Sequence, residues 1–177
     1  MIRLGLFSCQ AMSLPPIEQQ LFRRVCGKYA TGITVVTILD ANAVPQGMTA
    51  NSFTSVSLDP PLVLFCIDRR TAFLNHFEVG ARYAINVLEE EQQEMSSCFA
   101  RASRDRFQGV EWTPGVNGAP ILKGVLASLE CSVSQMVEAG DHLVIIGQVM
   151  HATWREGQPL VYFNSSYQSL RTESSAS

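Results

Sequence analysis

The 177-residue chain reads as a mainly β protein, a closed antiparallel barrel with a few peripheral helices. Three observations predict this fold. Apolar, β-branched runs recur at residues 33–39, 62–67, 82–88, 124–137, 142–154 and 159–163. The long run at 124–137 sets Val125, Ala127, Leu129, Cys131 and Val133 against Leu126, Ser128, Glu130 and Ser132, the period of a half-buried strand. Short turns join the runs in hairpin-like order, with no regular βαβ alternation.

The elements follow in order. Ile17, Leu21, Phe22 and Val25 recur at helical spacing after Pro15-Pro16, predicting an amphipathic helix that ends near Gly27. Residues 33–39 form the first strand, 40–43 a turn, and 45–50 the returning strand. A polar stretch then runs to Pro60-Pro61, and 62–67 makes a third strand. Residues 71–77 read as a short helix capped by Thr71, and 82–88 as a fourth strand. Residues 89–100 read as a helix opening with Glu89-Glu90-Glu91, acids suited to a helix N-terminus and otherwise only solvated. A loop-rich excursion over 101–120 carries Phe107 and Trp112. Two long strands joined at Glu138-Ala139-Gly140-Asp141 and a last strand ending at Tyr162-Phe163 complete the domain. The expected boundaries are a disordered leader over 1–14, one domain over 15–171, and a frayed tail over 172–177.

Composition narrows the function classes. Hydrophobic residues make up 46% of the chain and charged residues 16%, an ordinary globular balance. Thirteen basic and sixteen acidic residues give a net charge of −3, with no Lys/Arg cluster, so nucleic acid is not an expected partner. No run reaches the length of a membrane helix, and no membrane association is expected. The five cysteines are isolated, which argues against a disulfide framework or zinc site and for a reducing cytoplasm. A G-x-G-x-x-G fingerprint and a G-x-S-x-G elbow are both missing, and no His/Cys/Asp cluster has metal spacing.

The segment 47–61, Gly-Met-Thr-Ala-Asn-Ser-Phe-Thr-Ser-Val-Ser-Leu-Asp-Pro-Pro, is poor core material. Its short hydroxyls both donate and accept hydrogen bonds, and its backbone N–H groups are unobstructed. On these residues alone, a self-bonded turn and a cradle for a polar, partly anionic ligand both stay open.

An ordered set of motifs goes further. Residues 30–37 (ATGITVVT), 47–53 through Pro61, 83–88 (YAINVL), Gly140-Asp141-His142, and Tyr162-Phe163 with Tyr167 together resemble the short-chain flavin reductases. These are the FMN-binding split barrels that serve as reductase components of two-component flavin-dependent monooxygenases. The match spans roughly 17–170. The resemblance implies an antiparallel split β-barrel of Greek-key type and a homodimer with flavin near the subunit interface. It implies hydride transfer from NADH or NADPH to FMN or FAD, and a partner oxygenase that receives the reduced flavin.

Carried over by position, the resemblance places Thr31, Gly32, Thr49, Ala50, Asn51 and Ser52 along the flavin ring and ribityl chain. Ser57, Arg70 and Thr71 fall toward the phosphate, and Phe99 and Arg106 come from a less regular part of the pattern. Gly140, Asp141 and His142 are linked to the nicotinamide, with His142 the candidate catalytic residue. His142 reads equally as a plain strand-start residue after a tight turn, Asp141 reads better as a turn former, and Phe107 and Trp112 read as cover for a barrel end, with a flavin-facing aromatic lid as the alternative. His76 reads as a surface or satisfied core residue. Two other classes stay in view. One is a flavin-binding electron carrier or storage protein without NAD(P)H turnover. The other is a pyridoxamine-phosphate-oxidase-like enzyme, which needs more basic phosphate ligands than this chain shows.

Overall fold

The computed structural model describes residues 15–101, 103 and 105–170. The expected leader, the tail and Cys9 lie outside the described residues. The chain runs through α1 (Gln19–Cys26), β1 (Thr31–Gly32), β2 (Thr34–Leu39), β3 (Pro45–Ala50), β4 (Thr54–Leu58) and β5 (Pro61–Asp68). It continues through β6 (Arg82–Val87), α2 (Gln93–Ala100), β7 (Trp112–Pro114), β8 (Pro120–Leu122), β9 (Ala127–Ala139), β10 (His142–Trp154), β11 (Val161–Phe163) and β12 (Ser166–Gln168).

Seven antiparallel strands form the main sheet in the order β3-β2-β6-β9-β10-β5-β4. Its two edges, β3 and β4, are consecutive in the chain, joined by Asn51, Ser52 and Phe53. In a flat sheet of this width the edge strands would lie roughly 29 Å apart. The linker lets Ala50 and Thr54 separate by at most about 14 Å. The sheet must therefore curl until the end of β3 comes within reach of the start of β4, yet the two strands share no hydrogen-bond ladder. The barrel is split at this seam, which corrects the closed barrel read from strand order alone.

Two cores result. Inside the curl, Val36, Ile38, Val63, Phe65, Ile67, Tyr83, Ile85, Val133 and Ile145 pack with Phe73 and Phe77. Outside it, Ile33, Val35, Leu88, Phe99, Leu122 and Leu160 form a second cluster, covered by Phe107, Trp112, Tyr162 and Tyr167. Central strand β2 is buried on both faces, so its run is continuously apolar or threonine rather than alternating. A small sheet, β1-β11-β12, joins the main one through backbone bonds Ile33 N–H to Leu160 O and Leu160 N–H to Leu88 O, both 3.0 Å.

Buried polar groups fix the packing of the excursion. Asn86 donates from Nδ2 to Val35 O (3.1 Å) and Thr37 Oγ1 (3.0 Å), and its Oδ1 accepts the Leu122 N–H (2.9 Å). Glu130 accepts the Asn117 N–H at 2.6 Å, and Gly115 is the residue whose missing side chain leaves room for that carboxylate. At the β2–β3 turn, Asp40 Oδ1 accepts the N–H groups of Asn42 (2.8 Å) and Val44 (2.9 Å).

Further expectations need correction. Residues 71–77 make only a single 3-10 turn, Leu74–His76, without a Thr71 side-chain cap. Phe73 and Phe77 are both drawn into the barrel interior, and the Gly80 N–H, bonded to Val133 O at 2.8 Å, starts the next strand. Helix α2 starts at Gln93 rather than Glu89. Glu89 bridges Pro159, and the Glu90 N–H bonds Gln158 O at 2.9 Å, so the last hairpin claims this backbone before a helix can begin. The Glu89 carboxylate also pairs with Arg155 at 2.8 Å and is not merely solvated. The polar stretch contains an edge strand, β4, and the excursion contains the β7–β8 hairpin.

Tyr83 sits at the centre of the inner core, edge-on to Phe65 (5.5 Å) and Phe77 (5.9 Å). Its buried hydroxyl has no hydrogen-bond partner. Burial pushes the phenol far above its ordinary range, with the Cys131 thiol nearby, itself pushed up to about 12 by burial. Gly147 faces this hydroxyl across the sheet at a β-bulge, and a Cβ there would overlap it. Replacing Gly147 by Ala should destabilise the fold by about 2 kcal/mol through overpacking. Tyr83→Phe removes an unpaired buried hydroxyl and should be close to neutral. The double variant should lose less than the sum of the two, as read by urea denaturation midpoints.

Candidate functional site

The seam is the natural place for a ligand, because two sheet edges meet there without pairing. A cleft of about 1210 Å³ opens on one side of the linker. Its wall combines β3, the linker, the end of β5, the start of β10, and residues from the α2 region. Of the expected residues it brings together Thr49, Ala50, Asn51 and Ser52 with Arg70, Thr71, Phe99, Arg106 and His142. A second pocket of about 630 Å³ shares Asn51 and Ser52 and adds Thr31, Tyr162 and Arg23. Asn51 and Ser52 thus form a partition with a cavity on either side.

Gly32, Ser57, Gly140 and Asp141 line neither cavity. Gly32 pairs with Val161 in the small sheet, and Ser57 pairs with Leu62 beside a bulge in β4. Gly140 supplies φ +62° at the β9–β10 turn, where Asp141 orients its neighbour. The Asp141 carboxylate lies 2.7 Å from His142 Nδ1. That hydrogen bond holds the Asp141 carboxyl below its ordinary 3.8. The turn therefore presents His142 to the cleft without itself lining it.

The hydroxyls at the seam are partly committed already. Thr49 Oγ1 donates to Ser96 O at 2.6 Å, fastening α2 to β3, so toward a ligand Thr49 can only accept. Ser52 Oγ accepts the Cys66 N–H at 2.9 Å, and its own proton makes only a 3.4 Å contact with Cys66 O. The better half of that hydroxyl left for a ligand is its donor. The Asn51 side chain makes no hydrogen bond within the protein among the described residues, leaving its amide able to donate and accept. Thr31 Oγ1 is buried and unpartnered. A buried polar atom without a partner costs stability, so a ligand edge reaching the smaller pocket would remove that cost.

The rest of the wall sets shape and charge. The Phe99 ring lies against Gly47, where a Cβ would meet it at 2.9 Å, and stacks edge-on with Phe107 at 5.0 Å. Phe107 and Trp112 belong to the outer core and line neither pocket. Arg106 donates to Gly47 O (2.8 Å) and Arg101 O (2.7 Å) and lies 5.7 Å from the Phe73 ring centre. Its main work is to bind the excursion to β3. Asp68 clasps Arg70 through Nε (3.0 Å) and Nη2 (2.6 Å) and also accepts the Arg70 N–H at 2.8 Å. These bonds hold the Asp68 carboxyl well below its ordinary range.

Sequence reasoning did not single out Asp68, Cys66, Phe73 or His76 as cleft residues. Cys66 and Asp68 alternate with buried Phe65 and Ile67, so the period of β5 itself was the available signal. For Phe73 and His76 the signal was absent, because their position depends on how the 3-10 turn packs. No grouping of three or more His, Cys, Asp or Glu side chains suited to a metal occurs among the described residues.

The model of the flavin reductase like domain matches residues 26–171. The reductase subunit HsaB of a flavin-dependent monooxygenase from Rhodococcus jostii is 36% identical over 92% of this chain and 84% of its own length. A Rhizobium meliloti protein named as a probable flavin reductase is 47% identical over 78% of this chain, which spans only 44% of that relative. The structure of the NADH:FAD oxidoreductase SgcE6 of Streptomyces globisporus, in complex with NAD and FAD fragments, superposes with a TM-score of 0.80. It is 37% identical and covers 90% of this chain and 96% of its own.

Two outcomes follow from the site's hydrogen bonds. Ser52→Ala should remove the acceptor of the Cys66 N–H and destabilise the protein by about 1 kcal/mol in urea titrations. The Asp68 carboxyl, lowered first by the Arg70 side-chain bond, stabilises the fold above its ordinary 3.8, and that contribution is lost as pH falls through its native value. Arg70→Gln should therefore lower stability slightly at neutral pH and flatten the acid limb of the stability–pH curve below about pH 4, the variant and wild type converging at low pH.

Proposed function

Because the chain belongs to the flavin reductase like domain family, we propose that it reduces FMN or FAD with NADH or NADPH and passes the reduced flavin to a separate oxygenase. The protein is an oxidoreductase, and the observation that carries the finer reading is the buried, unpartnered Thr31 hydroxyl beside the Asn51-Ser52 partition. A flavin offers what these residues lack, a ring edge and ribityl chain rich in both donors and acceptors. When bound, it supplies the redox chemistry, accepting hydride from the nicotinamide.

The chain's own residues bind and orient. Thr49 accepts, Ser52 donates, and Asn51 and Thr31 do either, so the site matches mixed donor and acceptor edges. Ala50 and Gly32 keep the backbone approachable, and the Phe99 ring closes one wall against water. Arg70 and Thr71 are assigned to the phosphate side, Ser57 standing outside both cavities, with Arg106 and the excursion forming the opposite wall. His142, presented by the Gly140-Asp141 turn, receives the nicotinamide. Since His142 Nδ1 faces Asp141, Nε2 is the ring nitrogen left for substrate. No acid–base dyad is needed, because the rate comes from holding two ring systems in contact.

Two features support a homodimer. Helix α1 buries none of its residues and exposes Leu21, Phe22 and Val25. Edge strand β4 leaves Leu58 94% exposed. An apolar helix face and an open edge strand of this kind are covered in stable proteins. The cytoplasm is the compartment that suits the four free cysteines among the described residues. Among those residues, no helix is long and apolar enough to cross a membrane.

Purified protein with added FMN or FAD should oxidise NADH or NADPH, and omission of flavin should abolish the signal at 340 nm. Absence of flavin-dependent turnover with every flavin and both nicotinamides would sink the reading. His142→Ala should raise the nicotinamide KM by about tenfold while flavin affinity, followed by fluorescence quenching, changes little.

A further inference from the structure

We propose that Tyr167, which lines neither cavity, is a positioning residue for the flavin: through Ser96 it fixes the direction of the Thr49 hydroxyl in the main cleft. The inference rests on the reading that Thr49 faces a flavin there.

The path begins in the small sheet. Thr31 pairs in register with Tyr162, and Tyr162 with Tyr167, so the three stand abreast across β1, β11 and β12. Residues directly opposite on antiparallel strands share a face of the sheet, and the two tyrosine rings meet edge-on at 5.6 Å. Thr31 and Tyr162 line the smaller pocket. At the end of the row, the Tyr167 hydroxyl donates to Ser96 Oγ at 2.9 Å and lies 3.4 Å from Ser97 Oγ. Ser96 is fully buried, and its carbonyl accepts the Thr49 proton at 2.6 Å. A continuous row of contacts therefore runs from the smaller pocket, through α2, to the wall of the main cleft.

Helix α2 has little of its own to hold it. Its eight residues make about two turns, and no side chain caps its N-terminus. A helix that short is stable only through its packing. Among the described residues, side-chain hydrogen bonds tie it to two strands, to β3 through Thr49 and to β12 through Tyr167. Both ties meet on Ser96. A slide or rotation of α2 that moved the Ser96 carbonyl would release the Thr49 proton, and Thr49 would then turn freely between donor and acceptor. With the carbonyl held, Thr49 offers only lone pairs and selects a donor on the flavin, a ribityl hydroxyl or a ring N–H. Tyr167 thus acts at a distance, by keeping the hydroxyl preorganised.

The test is the Kd of FMN and of FAD for the full chain, read by fluorescence quenching, with steady-state kinetics at saturating nicotinamide. Tyr167→Phe keeps the ring and removes only the hydroxyl. It should raise flavin Kd and KM about fivefold, the scale of one hydrogen bond, while kcat at saturating flavin falls by less than about twofold. Ser96→Ala keeps the carbonyl and should reproduce the loss, which answers the question if Tyr167→Phe does not fold. Ser97→Ala, one position along the same helix, should leave flavin affinity unchanged. The decisive arm is the double variant. Once Thr49→Val has removed the hydroxyl being directed, Tyr167→Phe should weaken flavin binding no further. Full additivity of the two substitutions, wild-type affinity in Tyr167→Phe, or an equal loss in Ser97→Ala overturns this inference alone. Binding of neither FMN nor FAD by the wild-type protein removes the flavin reductase reading and this inference with it.

Discussion

The tether between β3 and β4 governs this molecule. Hydrogen bonding alone would let a seven-stranded antiparallel sheet stay open and gently twisted. Three residues between its outermost strands forbid that, and the curl they impose creates an interior with room for Phe65, Tyr83 and Phe77. The bond from the Cys66 N–H to Ser52 then fastens the tether to β5, so the seam has a defined position. A split barrel of this kind needs no interstrand ladder at its seam, because the covalent chain does the closing.

What makes the seam chemically useful is the incomplete pairing it leaves behind. In a fully closed barrel, the backbone and hydroxyls of Thr49 to Thr54 would be consumed by neighbours. Here Thr49 gives up its proton to Ser96 and Ser52 its acceptor to Cys66, while Asn51 and Thr31 keep both functions. The same hydrogen bonds that hold the scaffold fix which half of each hydroxyl faces a ligand. In the proposed site, recognition follows from scaffold bonding.

Much of this was legible in the sequence, and the failures share a cause. The strands of the main sheet announced themselves by period and β-branching, and the ordered motifs from 30–37 to Tyr167 pointed to the family and its split barrel. Nine of the fourteen expected site residues line the main cleft and Thr31 lines the smaller one. The acidic run at 89–91 misled because its backbone is captured by Gln158 and Pro159, some seventy residues away in sequence. Strand β4 was hidden because an edge strand exposed along its length carries no apolar alternation. Asp68 escaped notice because its importance lies in what it does to Arg70, a relation that only the folded β5 end reveals.

Surface loops ordinarily drift in length at small cost, about 0.6 kcal/mol for each doubling. The stretch 51–53 cannot share that freedom. Each inserted residue would slacken the tether by roughly 3.5 Å and hand control of the curvature back to the sheet's own twist. Variation in length therefore belongs at hairpin tips such as the Asp40 turn, where a side chain satisfies the backbone locally and nothing distant depends on the residue count. The seam is a measured rivet, its dimension held as tightly as the identity of any residue within it.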